Sequence, residues 1–372
     1  MTEPSTPAPA PAPARIVGYD FARALAVFGM VIVNFNVVMA YDDHGPAWLE
    51  VFVGALEGRA AATFVILAGV GTSLLTRRER ANADRAGARR RQRTLLRRAL
   101  FLLVLGYAFM PLWPGDILHY YAFYMAIGSF FLLARDRALW LAAIVSSLGF
   151  VVLLAIFDFE SGWDFDTLEY TDLWTVEGAL RNLLYNGLHP VVPWAAFFLA
   201  GMWLGRLDLR DDWLRQRLLY SALGVAIGIE LLSIAIVGGL TADYPQNSDE
   251  VEDIQAVFGT GPIPPMPQYL LAGGATAIVV ICTSVAATVR RPRARWATPF
   301  IATGQMALTL YLAHVLLGMG PLALAGRLED QTAEFSLLAA GIFFVAAVAF
   351  CWWWRSRFAR GPIEWVMRRA AG

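Results

Sequence analysis

Lysine is absent from this 372-residue chain; all 30 basic residues are arginine. Schiff-base and P-loop chemistry, each of which needs a lysine amine, are therefore excluded. Cysteine is nearly absent as well. The two present, Cys282 and Cys351, lie in apolar runs and suggest neither a disulfide framework nor a metal cluster, and no metal is expected. Charged residues make up 16% of the chain, against about a quarter in ordinary soluble proteins. The 30 basic and 30 acidic residues cancel, which as a total argues against a nucleic-acid partner or a polybasic peripheral protein.

What the chain has instead is apolar length, with 58% hydrophobic residues. A helix needs about 20 apolar residues to cross some 30 Å of hydrocarbon. On that measure ten stretches qualify, at about 22–41, 54–75, 95–112, 117–134, 138–157, 190–205, 218–240, 269–289, 299–319 and 335–354. The expected fold is an all-α polytopic membrane bundle of about ten transmembrane helices, a single domain over 15–369. Residues 1–14 read as a disordered Pro/Ala-rich tail (PSTPAPAPAPA over 4–14), and the first span, with no small-residue cleavage site after it, does not read as a cleaved signal peptide.

The arginines alternate with the spans. TRRERANADRAGARRRQRTLLRR follows the second span, and further arginines follow the fourth, sixth, eighth and tenth, which puts these loops and both termini in the cytoplasm. The opposite loops are acidic. One carries Asp158, Glu160, Asp164, Asp166, Glu169, Asp172 and Glu177, another Asp243, Asp249, Glu250, Glu252 and Asp253. The zero net charge is a sum over two opposed faces.

Ionisable groups in or beside a span are costly and become functional candidates. All four histidines, His44, His119, His189 and His314, fall on the outer half. In the first external loop, YDDHGPAWLE, Asp42 and Asp43 stand beside His44, and Trp48 suits an interfacial anchor. A neighbouring carboxylate can fix an imidazole tautomer and raise its basicity, as a general base requires. A solvated histidine in an acidic loop is the plainer account. Asp116, His119 and Tyr120 follow a Pro114-Gly115 break and share one helix face, with Asp116 also suited to an N-cap. Glu57 and Arg59 open the second span as a mutual ion pair or an external anion site. Glu230 is a lone acid near the middle of the seventh span, where an arginine or hydroxyl partner is expected. Asn34 reads as interhelical glue or a substrate-binding amide, and His314 as a satisfied interhelical histidine. On the inner side Arg15, Asp20, Arg23 and Arg360 form an arginine-rich mouth; guanidinium groups bind phosphates, though topogenic and headgroup roles account for most such arginines.

Six segments carry a family resemblance in order along the chain: RIVGYDFARALAVFGMVIVNF, EGRAAATFVILAGVG, DILHYYA, FFLAGMWLGR, GQMALTLYLAH and GPIEWVMR. They resemble the YeiB-type bacterial membrane proteins, a family of unknown function, and the related heparan-α-glucosaminide N-acetyltransferases. That resemblance implies a transmembrane acyltransferase taking an acetyl group from cytosolic acetyl-CoA, or another acyl-CoA, to an acceptor on the far side. It implies a catalytic Asn…His…Trp arrangement, matched by Asn34, His44 and Trp48. Two family features differ: Ala24 follows Arg23 in place of glycine, and Trp48-Leu49-Glu50 stands in place of Trp-Asn-Gly.

Combined, these readings assign His44 as general base oriented by Asp42 or Asp43, and Asn34 as oxyanion donor. Arg15, Asp20, Arg23 and Arg360 would bind the CoA phosphates. Asp116, His119, Tyr120, Glu57, Arg59 and Trp48 would line the acceptor side. The expected partners are membrane lipids, acyl-CoA and an extracytoplasmic glycan, glycolipid or small acceptor, in a bacterial cytoplasmic membrane; a homodimer is left open. The alternative is a proton-coupled transporter using Glu230, Glu57 and the histidines, which predicts five-plus-five internal repeats that the sequence does not display.

Overall fold

A computed structural model of the chain describes residues 15–40, 45–164, 169–245, 248–291 and 294–372. The elements are α1 (Gly18–Met39), α2 (Ala47–Leu56), α3 (Arg59–Leu75), α4 (Arg77–Ala81), α5 (Arg85–Phe109), α6 (Leu118–Ser129) and α7 (Asp136–Ile156), then a two-stranded hairpin, β1 (Trp163–Asp164) with β2 (Glu169–Tyr170). They continue with α8 (Val176–Arg181), a π-helical turn at Asn182–Asn186, α9 (Val191–Leu204), α10 (Asp212–Leu240), α11 (Asp249–Phe258) and α12 (Pro267–Val289). The last are α13 (Thr298–Gly304), α14 (Ala307–Ala313), a second π-helical turn at His314–Met319, α15 (Gly320–Leu324), α16 (Ala333–Arg357) and α17 (Pro362–Ala371).

Local chemistry sets several helix starts. Asp84, Thr175, Asp211 and Thr332 accept backbone N–H bonds as N-caps of α5, α8, α10 and α16, and Pro267 and Pro362 sit at the first helical position of α12 and α17. Gly58 separates α2 from α3 in a left-handed conformation, φ 65°, that glycine tolerates.

Helix α1 is central, packing against α3, α12, α13 and α16. Helices α3 and α9 cross at glycine: a methyl on Gly69 would lie 2.1 Å from the Phe198 carbonyl oxygen, and one on Gly201 2.1 Å from that of Ile66. Small residues at such crossings let backbones approach where lipid supplies no hydrophobic drive between helices. Helices α7 and α10 are peripheral; α10 buries only Arg215, Ala222 and Ser233 and presents Ile227, Leu231, Leu232 and Ile234 outward. Apolar surface of that extent, on helices apolar around their circumference, belongs in lipid.

Among the described residues seven helices are long and apolar enough to cross a membrane, or eight if the bent pair Val176–Asn186 and Val191–Leu204, at 47°, is one span. The chain is a multi-pass, all-α membrane protein. These segments coincide with eight of the ten anticipated spans. The third and fourth correspond to α5 and α6, which do not pass the same test. The first half of α5 is crowded with arginine, and α6, at 12 residues, rises only about 18 Å.

Several arginines of the loops between spans gather at one end of the bundle. Gly18 at the start of α1 packs on Val285 and Thr288 near the end of α12, Arg290 at that end pairs with Asp212 at the start of α10, Arg206 after α9 pairs with Asp136 at the start of α7, and Arg15 and Arg210 line one cavity, while Arg15 and Arg23 pair locally with Asp20.

Candidate active site

At the arginine-rich end the start of α1 and the end of α3 border an open cavity of about 450 Å³ whose lining includes Arg15, Asp20, Arg23, Arg77 and Arg210. Asp20 is buried beneath it, taking Arg15 Nη2 at 2.8 Å, Arg23 Nη1 at 2.9 Å and Gln305 Nε2 at 3.2 Å. Its role in the geometry is to fix two guanidinium groups, since a carboxylate so engaged offers nothing to an anion. Gln305 in turn receives Arg355 Nε at 3.0 Å. Asp208 holds Arg210 bidentately, at 2.8 and 3.2 Å, and that pairing keeps the Asp208 carboxyl below the usual carboxylate range. With four arginines and one carboxylate in its lining, the cavity suits a polyanion. Arg77 and Arg210 were not distinguishable from topogenic arginines in the sequence. Arg360 is not in the lining; it is exposed, and its carbonyl accepts from Trp354 Nε1 at 2.8 Å.

The same two helices wall a second, far smaller cavity of about 10 Å³, room for one water, lined by Val27, Met30, Val31, Asn34, Phe64, Tyr311 and His314. Asn34 stands eleven residues beyond Arg23 on α1, about 17 Å along the helix. Its Nδ2 lies 3.0 Å from His314 Nε2. The other ring nitrogen, Nδ1, contacts the Tyr311 carbonyl oxygen. A carbonyl only accepts, so Nδ1 carries the proton, Nε2 is the acceptor, and the Asn34 amide donates. His314 also opens the second π-helical turn.

Tyr311 faces a third polar group. Its hydroxyl donates to Asp116 Oδ1 at 3.0 Å and accepts the backbone N–H of Ile117 at 3.0 Å. Asp116 Oδ2 takes His119 Nδ1 at 2.9 Å and the His119 backbone N–H at 3.1 Å. Asp116, just before the N-cap Ile117, thus accepts a first-turn backbone N–H of α6, the interaction expected of a cap, and also orients the imidazole, a role the sequence had not assigned to it. Asp116 and His119 are both buried, at 0% and 2% exposure, so the carboxylate depends on these three donors. Tyr120 points elsewhere, donating to Asn182 Oδ1 at 2.6 Å in the first π-helical turn, while its ring lies 3.8 Å from that of His119. Tyr124 donates to the His189 carbonyl, and the His189 ring meets Trp194 edge-on at 4.6 Å. Asn182, Tyr311 and both π-helical turns carried no sequence signal, because a π turn is a register change rather than a residue type.

Arg59 departs from its expected role. Its guanidinium binds Glu230 and, at 3.2 Å, Thr260 Oγ1, while Thr260 donates to Glu230 Oε2 at 2.7 Å. Arg59 Nη1 also reaches the Gly54 carbonyl, at 3.2 Å. The arginine ties α3 to α10 and to the loop before α12, and both the arginine and the hydroxyl anticipated for Glu230 are present. Glu57 and Trp48 are exposed, Trp48 to 61%, on the short helix α2 and at its end. Asp42, Asp43 and His44 lie outside the described residues, in the segment between α1 and α2. No group of three or more His, Cys, Asp or Glu side chains among the described residues converges to hold a metal ion.

Two family models match the chain. One, for proteins of unknown function (DUF418), matches residues 208–372. Comparison with curated proteins gives no match. The other, described as heparan-alpha-glucosaminide N-acetyltransferase, catalytic, covers residues 15–233 and so takes in α1, the arginine-lined cavity, Asn34 and the Asp116–His119 pair; by that match, which spans more than half its length, the chain belongs to this family.

Proposed function

We propose that the protein transfers an acyl group, acetyl in the first instance, from cytosolic acyl-CoA to a hydroxyl or amine acceptor across the membrane. The observation that carries this reading is the α1–α3 seam. Residues of α1 and α3 line both the arginine-rich cavity and, about 17 Å further along α1, the small cavity beside the Asn34–His314 pair, placing a polyanion site and that hydrogen-bonded pair along one helix. The arginine-rich end faces the cytoplasm by the positive-inside rule, with α5 and α6 completing ten spans and both termini inside. Arg15, Arg23, Arg77 and Arg210 bind the CoA phosphates, and the acyl arm follows α1.

In the transfer, the acceptor nitrogen or oxygen attacks the thioester carbon and forms the new C–N or C–O bond. The C–S bond breaks, the thiolate leaves, and the proton lost by the acceptor passes through the base to the sulfur. His44 is the base by family resemblance, and Asn34 stabilises the oxyanion. The acceptor is a glycan, glycolipid or small molecule on the outer side, near Asp116, His119 and Tyr120. The transporter alternative draws no support from Glu230, which Arg59 and Thr260 engage.

The test is incorporation of label from acyl-labelled acetyl-CoA into the envelope fraction of membranes carrying the protein. Wild type should transfer label, His44→Ala should abolish transfer, and Asn34→Ala should slow it by about 100-fold or more while leaving a measurable rate. A wild type that transfers none, or a His44→Ala protein as active as wild type, overturns the reading or its base respectively.

A further inference from the structure

We infer that His314 is a positioning residue for acyl transfer, holding the Asn34 carboxamide so that its N–H side, not its oxygen, faces the thioester oxygen. The inference rests on the function proposed above and adds a residue to it. A terminal carboxamide has two faces related by a half-turn, one donating and one accepting. Only the donating one stabilises an oxyanion; the other sets lone pairs against developing negative charge.

Something must select the face, and His314 has the means. The ring is 1% exposed. Its Nδ1 proton is committed to the Tyr311 carbonyl, so Nε2 presents a lone pair, and an Asn34 oxygen turned toward it would be repelled. The NH2 group therefore faces His314, and its second hydrogen remains uncommitted among the described residues. Asn34 and His314 are the residues of the small cavity, Tyr311 apart, that carry side-chain polar atoms; the rest of its wall is apolar. The selector is itself fixed from behind. Tyr311 is anchored through Asp116 and the Ile117 N–H, and the π-helical turn begins at the ring that points back to it. Such turns recur at functional sites.

The test is steady-state transfer from labelled acetyl-CoA by purified wild type, His314→Ala, His314→Gln, Asn34→Ala and the double variant His314→Ala/Asn34→Ala, with thermal unfolding measured on each. We expect His314→Ala to lower kcat by about 100-fold, the scale of losing one oxyanion donor, with KM for acetyl-CoA unchanged. His314→Gln, whose carbonyl can accept from Asn34, should recover most of that loss. The double variant should be no slower than Asn34→Ala, because the histidine acts through the asparagine. An active wild type with His314→Ala at the same kcat, or a double variant whose loss is the product of the single losses, overturns the inference and leaves the proposed function standing. Should His314→Ala fail to fold, His314→Gln at wild-type stability and without activity overturns it too. A wild type inactive with acetyl-CoA overturns the function, and this inference with it.

Discussion

The hydroxyl of Tyr311 donates to Asp116 Oδ1 across 3.0 Å, joining residues 195 apart in sequence. Its backbone carbonyl takes the Nδ1 proton of His314. One residue thereby fixes two buried imidazoles, the Asp116-oriented His119 through its side chain and the Asn34-bonded His314 through its main chain. In a bundle surrounded by lipid a buried carboxylate without donors is costly, and the three donors on Asp116 make this a satisfied network rather than stray polarity.

Asp116→Asn tests that network. The amide can accept from Tyr311 or His119 but must also donate, and donation to Nδ1 would move the imidazole proton to Nε2, so that His119 could no longer accept a hydrogen bond there from the acceptor. Acyl transfer should fall by at least about tenfold, with thermal unfolding shifted down. Tyr311→Phe should destabilise by about 1–3 kcal/mol, because it also orphans the buried Ile117 N–H. Wild-type transfer by Asp116→Asn would separate His119 from the chemistry.

The arginine cavity predicts a different kinetic signature. Arg23→Ala and Arg210→Ala should each raise KM for acetyl-CoA, with kcat little changed, since a phosphate contact far from the reacting carbonyl binds ground and transition states alike. Arg360→Ala should leave KM at the wild-type value. Equal effects from all three would mean general surface charge rather than a built site.

Much of this architecture was legible as pattern. The first span, read at 22–41, begins and ends within a few residues of α1 because an unbroken apolar run follows Asp20 and Arg23. Charge alternation was legible too, since topogenic arginine is a property of composition. Pairings were not. Periodicity reports neighbours three or four residues apart, whereas Asn34 and His314 meet across 280 residues. Arg77 and Arg210 were hidden among 30 arginines, and nothing local separates a guanidinium lining a cavity from one facing headgroups. The Asp116 and His119 spacing was readable because both partners sit on one helical turn.

The α3–α9 crossing yields a prediction on stability alone. Gly69→Ala places a methyl group 2.1 Å from the Phe198 oxygen, and no side-chain rotation relieves a contact with backbone. Overpacking of that kind costs about 1–3 kcal/mol. Gly224→Ala, on α10 where a methyl meets nothing within 4 Å, should be neutral or slightly stabilising. Unfolding in detergent micelles distinguishes them, and equal midpoints would refute the close crossing.

Arg59 supplies the last prediction, because sequence and structure assign it different work. As an external anion ligand its loss should raise KM for an acceptor and spare stability. As the tie between α3, α10 and the loop before α12, it should do the reverse. Arg59→Ala removes the counter-ion of Glu230 and one donor to Thr260, and with Glu230 partly exposed the cost should be on the order of 1–3 kcal/mol. Glu230→Gln keeps an oxygen for the guanidinium and for Thr260 and should cost less. In a double-mutant cycle with Glu230→Ala, the second substitution should add little once the first has broken the pair. Additive losses, or an unchanged unfolding midpoint for Arg59→Ala with a raised acceptor KM, would return Arg59 to the binding site that the sequence suggested.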